Sequence, residues 1–367
     1  MAIDLLTPAS AVAHKASFTD LKKAVMESGL LERQPVYYAF RFPLTILMLV
    51  PGILVLLLFD NLWLVLLNAV YLAVVFTQIV FLGHDCGHRQ VFTKPFWNDL
   101  LALGGMPLVG IDYSWWCHNH NRHHSRPNEM GADPAIEYDM FAFSESQAVE
   151  KRGLSRFLIK FQAFYFIPST FFYPVLMRIN SIRFILGNKP KYRVAEIVLF
   201  LIHFPFYFWL VFSHLSLGAG LLFVAVHQSL FSLFLVSTFA PNHKGLMILD
   251  EGHALDFLHQ QILTAQNVQS HPFADFWFGG LNYQIEHHLF PNMPRNKLKE
   301  AQRLVKAFCQ EHSIAYQETR APQCYWEILK FMHQASRPVR YEPEGLVSQA
   351  GGSALPVTAP QAGENNL

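Results

Sequence analysis

Four long apolar runs constrain this chain more than any other feature. Residues 42–59, 62–82, 195–212 and 217–240 are almost free of charged side chains. Each is near the roughly 20 residues that an α-helix needs to cross a bilayer. Charged residues make up only 15% of the 367, and the mean hydropathy is +0.21, where soluble domains carry about a quarter charged residues. Two connections are very short, Asp60-Asn61 and residues 213–216, so the runs pair into two helical hairpins. Pro51-Gly52 inside the first run is tolerable in a membrane helix, with a kink. The fold class expected is all-α integral membrane, with four transmembrane helices in two hairpins.

The rest of the chain is arranged around these spans. Residues 1–34 read as an N-terminal tail and short helix, loose to about residue 16. Thr19 is placed to cap an amphipathic helix through about Glu27, with Leu21, Val25 and Met26 apolar. No long apolar core marks the first 33 residues as a cleaved signal. Residues 35–335 form the membrane domain, and 336–367 are expected to be a disordered tail, Gly/Pro/Ala/Ser-rich beyond Glu342. Within the domain, 96–109 reads as a buried or interfacial helix and 156–177 as a segment lying in the membrane interface. Residues 296–312 read as an amphipathic helix.

Charge gives the orientation. No Lys or Arg occurs from Phe42 to His88 or from Val194 to His243, so both hairpin tips lack basic residues. The positive-inside rule then puts both termini and the polar segments on the cytoplasmic side.

That side carries the chemistry. His118-Asn119-His120-Asn121-Arg122-His123-His124 is dense in imidazole, and His84-Asp85-Cys86-Gly87-His88 and Gln284-Ile285-Glu286-His287-His288 echo it. His84 and His88 are i, i+4, and His120 with His123 and His124 is i, i+3 and i, i+4, so each set shares a helix face. Imidazole suits Fe, Zn, Cu and Ni. Seven such ligands are too many for one tetrahedral ion and enough for two metals. Single histidines such as His14, His203 and His333 read as ordinary. Cys86, Cys117, Cys309 and Cys324 are dispersed and form neither a Cys-x-x-Cys metal pattern nor a disulfide framework. A net charge of +1 gives no nucleic-acid footprint. No Gly-x-Ser-x-Gly elbow or His-Glu-x-x-His motif supports a hydrolase, and no Gly-x-Gly-x-x-Gly loop binds a nucleotide.

His84-x-x-x-His88, His120-x-x-His123-His124 and Gln284-x-x-His287-His288 resemble the three histidine boxes of the membrane fatty acid desaturases, over about residues 30–335. The flanks Asn282-Tyr283-Gln284 and Leu289-Phe290-Pro291 resemble the third box of one large branch. The resemblance implies a cytoplasmic helical cap holding a di-iron site, with O2 as co-substrate, that inserts a cis double bond into an acyl chain. It implies His84, His88, His120, His123, His124, His287 and His288 as metal ligands, with His243 in the place of a further family histidine. Gln284 stands where many relatives carry a ligating histidine and is similar to the front-end desaturases, which act between an existing double bond and the carboxyl end. Asp85, Asp112, Asn128, Asp133 and Glu286 are candidates to orient the imidazoles, and Trp115 and Trp116 to line an acyl tunnel. His118, out of phase with His120, is expected to support rather than to bind metal.

The sequence has no His-Pro-Gly-Gly haem motif of a fused cytochrome b5. Two electrons per turnover are therefore expected from a separate ferredoxin, cytochrome b5 or flavin-linked reductase. Arg89, Lys94, Arg126 and Lys244 are candidates to dock it. The substrate is an acyl-lipid or acyl-CoA, the surroundings are membrane lipid, and the location expected is a bacterial inner membrane ahead of the endoplasmic reticulum. Hydroxylases and ketolases of the same superfamily are the enzymatic alternatives. A metal-binding or transport protein is the non-catalytic one, for which the spans offer chiefly Glu196, His203 and His227.

Overall fold

The computed structural model describes residues 16–341. The segments 1–15 and 342–367, including the tail expected to be disordered, lie outside the described residues. The described chain is all-α, as expected. Its only strands are the two-residue parallel pair Asn267–Val268 and Glu318–Thr319. Four helices are long and apolar enough to cross a membrane: Pro35–Leu58, Leu62–Gly87, Arg193–Phe212 and Leu217–Asn242.

Local chemistry starts and stops these helices. Asn61 caps the second span, its side-chain oxygen accepting from the Leu64 N–H at 3.1 Å. Ser216 caps the fourth in the same way, through the Ala219 N–H. The first span begins at Pro35, well before the apolar run at Phe42. Proline is pre-set for a first helical turn, and the Arg41 guanidinium within the helix is bonded to Gln78 Oε1 at 2.6 Å. The span is jointed at Met48, between Pro43 and Pro51. The short N-terminal helix Phe18–Glu27 is capped by Ser17, not Thr19, with Ser17 Oγ accepting from the Thr19 N–H. Leu21 and Val25 pack inward, while Met26 is exposed.

The second span is the hub. Of its apolar stretch 67% is buried, against 17% of the first span's, so the first presents most of its surface outward. Ala73, Phe76, Ile79 and Val80 pack with Phe231 and Leu235 of the fourth span. The helix Pro95–Gly105 and its 3-10 extension Met106–Val109 fold back against the hub. Gly83 makes this approach possible, since a Cβ there would lie 2.4 Å from Met106 Cγ. Helices Gly153–Ile159, Gln162–Ser169 and Tyr173–Asn188 leave Leu154, Phe157, Phe164, Phe172, Val175 and Leu186 exposed. That apolar face suits the interfacial position expected for 156–177. Helix Arg337–Tyr341 continues past residue 336, held by Val339, which is buried with Ala142, Ala148 and Ile159.

Two buried polar hubs hold the cap to the spans. Asp99 accepts from the Tyr113 hydroxyl at 2.8 Å and the Tyr192 hydroxyl at 2.7 Å, and pairs with Arg89. Asp85, at the end of the second span, pairs with Arg295, whose Nε lies 2.9 Å from Asp85 Oδ2 and whose Nη2 reaches the Phe81 carbonyl. Both members of this second pair are almost fully buried. Removing one partner of a buried pair strands a charge and costs about 3–5 kcal/mol. Arg295→Ala is therefore expected to lower the unfolding free energy in detergent by an amount of that order, read as a lower denaturation midpoint. An unchanged midpoint would show that the pair does not hold the cap.

Candidate metal centre

Four elements bring the histidines together. His84 lies in the last turn of the second span and His88 caps it, their ring centroids 4.7 Å apart. His120, His123 and His124 lie on helix Tyr113–Ser125. His287 and His288 lie on the short buried helix Gln284–Leu289. His243 follows the fourth span directly. The ring nitrogens sort into two groups, each with its candidate ligand atoms within 4.8 Å of one another: His84, His88, His120, His124 and His287 in one, and His123, His243 and His288 in the other. Successive helical residues point about 100° apart. Adjacent histidines therefore serve different groups, with His123 parted from His124 and His287 from His288. The rings of His124 and His288 stack at 4.1 Å and 15°, so the groups abut.

The chemistry of these nitrogens fits a pair of cations. His84 Nε2, His288 Nε2 and both ring nitrogens of His287 are buried without a hydrogen-bond partner. His88 Nε2 and His120 Nε2 lie 2.8 Å apart, and His123 Nε2 and His243 Nε2 lie 3.2 Å apart. Orphaned polar atoms are costly inside a protein, and convergent lone pairs are what a metal satisfies. Burial, with neighbouring imidazoles, holds His88, His124, His287 and His288 well below the usual imidazole pKa. Burial and His123 do the same to His243. Neutral imidazole is the ligating form.

The three-imidazole group is also oriented from behind. His123 Nδ1 lies 2.9 Å from Asp133 Oδ2, His243 Nδ1 2.9 Å from the Thr264 carbonyl, and His288 Nδ1 2.8 Å from Gln261 Oε1. Each bond spends Nδ1–H on the scaffold and leaves Nε2 for the centre. Asp133 is fixed in turn by the N–H groups of Asn128 and Ala135. Burial tends to raise its pKa, but His123 beside it and these bonds hold it well below the usual carboxylate range.

The other candidates fall into several places. Asn128 acts one step back, donating its amide to the His243 and Met247 carbonyls. Asp85 Oδ1 is 3.6 Å from His84 Nδ1 but is engaged mainly by Arg295. Asp112 bonds no imidazole. It caps the box-two helix by accepting from the Trp115 N–H, and burial with Glu196 pushes it up to about 7. Glu196 accepts from the Ser114 N–H, completing that helix start. Glu286 faces away from the imidazoles and accepts from Asn267 and Tyr316, with burial pushing its carboxyl up to about 7. Trp116 stacks on His120 at 4.3 Å. Gly87 gives it room, since a Cβ there would lie 2.4 Å from the indole. Trp115 is half-buried against the hub. His118 is exposed and packs on Phe184. Lys244 is held inward by the Ala135 carbonyl and the Phe143 ring, so it is not free to dock a partner. Gln261 and Thr264 had no signal in the sequence, the first being one polar residue among many and the second acting through its backbone.

Two expectations follow. Asp133→Ala frees the His123 ring and is expected to weaken one of two metal-binding steps about 10- to 100-fold, read by titrating Co2+ or Fe2+ into the metal-free chain. In that metal-free chain the depressed imidazole pKa values have a definite sign. The unfolded state takes up protons below about 6.5 and the folded state resists. Stability is therefore full above that pH and is lost as pH falls through it. Denaturant melts at pH 8 and pH 5.5 test this, and a melt independent of pH would contradict it.

The family pattern for fatty acid desaturases matches residues 61–320. The chain is 28% identical over 356 residues to a Delta(8)-fatty-acid desaturase of Euglena gracilis, covering 93% of this chain and 84% of the relative. It is 27% identical over 333 residues to an acyl-lipid (9-3)-desaturase of Physcomitrium patens, covering 87% of this chain and 62% of that protein, so it spans less than two thirds of the second relative. With the pattern running through all three boxes and both hairpins' inner helices, the chain belongs to the fatty acid desaturase family of oxidoreductases.

Proposed function

We propose that this chain is a fatty acyl desaturase of the front-end type, with residues 35–335 as its catalytic membrane domain. The observation that carries the reading is the convergence of eight imidazoles into a group of five and a group of three, with buried nitrogens lacking any protein partner. His84, His88, His120, His124 and His287 would hold one iron, and His123, His243 and His288 the other. When bound, the two irons supply O2 activation, which with two electrons and two protons takes two hydrogens from adjacent acyl carbons and yields a cis alkene and two waters.

The chain's own residues do the rest. Asp133, Thr264 and Gln261 fix three rings in one tautomer. His84, His287 and His288 lie out of solvent, which protects an oxidising centre from side reactions. Trp116 against His120 is the wall past which an acyl chain would run. The two relatives favour front-end placement, in line with Gln284 in the third box, and the name of the Physcomitrium patens relative favours an acyl-lipid substrate. The absence of basic residues at both hairpin tips supports a centre on the cytoplasmic side. Electrons come from a separate ferredoxin, cytochrome b5 or reductase, and Arg126, more than half exposed beside the centre, remains a docking candidate.

The test is fatty acid analysis by gas chromatography–mass spectrometry, with derivatised double bonds, in a host supplied with a ferredoxin and its reductase. A new alkene is expected with the intact chain and none with His123→Ala. A hydroxylated or keto product without an alkene would assign the chain to the hydroxylase or ketolase branch instead.

A further inference from the structure

The three-imidazole group has a fourth neighbour, and its orientation is fixed by the protein. Gln284 is buried with its amide nitrogen 2.9 Å from His243 Nε2 and its amide oxygen 3.1 Å from Asn242 Nδ2. The two ends of an amide look alike in shape, so the assignment rests on the surrounding bonds. Asn242 decides it. Its Nδ2 also donates to the Thr238 and Leu281 carbonyls, both at 3.1 Å. Those carbonyls only accept, so Asn242 cannot turn its oxygen toward them. Its NH2, with two hydrogens shared among three acceptors, therefore faces Gln284, and the contact favours the Gln284 oxygen on that side. The other side closes the argument. His243 Nδ1 gives its proton to the Thr264 carbonyl, so Nε2 is a bare lone pair that wants a donor or a cation.

We propose that Gln284 is not a metal ligand but a hydrogen-bond donor aimed at the open position beside the three-imidazole group. The proposal rests on the two-metal reading above. An amide N–H cannot ligate, and the amide oxygen that could is committed to Asn242. The second metal then has three protein ligands where the first has five. Three protein ligands with the remainder open is a familiar arrangement for exogenous ligands at catalytic metals. A metal held by His243 Nε2 would take that acceptor from the Gln284 N–H, which would then be available to a small anionic ligand beside the three-imidazole group. A fixed, buried donor there favours negative charge, as in an oxyanion hole.

Ferrous iron and azide test this in the full chain purified in detergent. Wild type and Gln284→Leu are both expected to hold two irons per chain by metal analysis. Azide, followed by its charge-transfer absorption after oxidation, is expected to bind Gln284→Leu at least about tenfold more weakly, the loss of one charge-assisted hydrogen bond. Gln284→Met, which keeps the length of the side chain and has no N–H to donate, gives a second variant should the first unfold. It is expected to hold two irons and to lose azide binding. Iron falling to one per chain in Gln284→Leu would make Gln284 a ligand and overturn the proposal, as would azide affinity unchanged in either folded variant. A wild type holding one iron would overturn the two-metal reading itself, a result distinguishable from either of these.

Discussion

Imidazole lone pairs packed inside a protein without proton donors are the constraint on which the rest of this structure depends. Left to themselves such groups take on protons or open to water. Here burial keeps the rings neutral and the bundle keeps them together, so the arrangement carries a cost that only bound cations relieve. The polar bonds around the centre make sense on those terms. They hold three of the rings with Nε2 turned toward the centre.

The spans serve that purpose through one rigid element. The second span ends in His84 and His88, and its buried Asp85 reaches Arg295, just beyond the third box. The fourth span packs along the second and ends at His243. Because the His84 ring, in the last turn of the second span, lies 6.4 Å from the Phe239 ring at the end of the fourth, the inner ends of the two hairpins lie at the same end of the bundle. Three-residue and four-residue hairpin turns leave little freedom for any other outcome. A site assembled from three sequence-distant clusters is thus carried on helices, which place side chains more precisely than loops do.

The meeting of the three clusters was legible because ligand spacing on a helix is a local property: His84 with His88, and His120 with His124, repeat at i, i+4. The spans were legible because nothing else makes 18 or more apolar residues in a row. What sequence hid was of two kinds. Some contributions carry no side-chain signature, such as the Thr264 carbonyl behind His243. Others have two readings that only tertiary contact separates. Asp112 sits where an aspartate can orient a histidine or cap a helix, and it caps. Arg41 reads as the edge of a span, yet it is inside one because Gln78 lies across from it. Ser17 and Thr19 are both fair caps, and backbone geometry chose the first.

The two imidazole groups are held by different means, and this bears on how each would respond to change. The three-imidazole group is pinned ring by ring through Asp133, Thr264 and Gln261. In the five-imidazole group His287 has no bonded nitrogen, and His84 has only Asp85 at 3.6 Å. Those rings are placed by packing against one another and against Trp116. Hydrogen bonds fix direction, so losing one leaves a ring present but misaimed. Packing fixes position, so a change of volume at Gly87 or Trp116 would shift several rings together. With metals bound, a centre held by three directed imidazoles beside a more crowded group of five would give an incoming small ligand one side on which to bind.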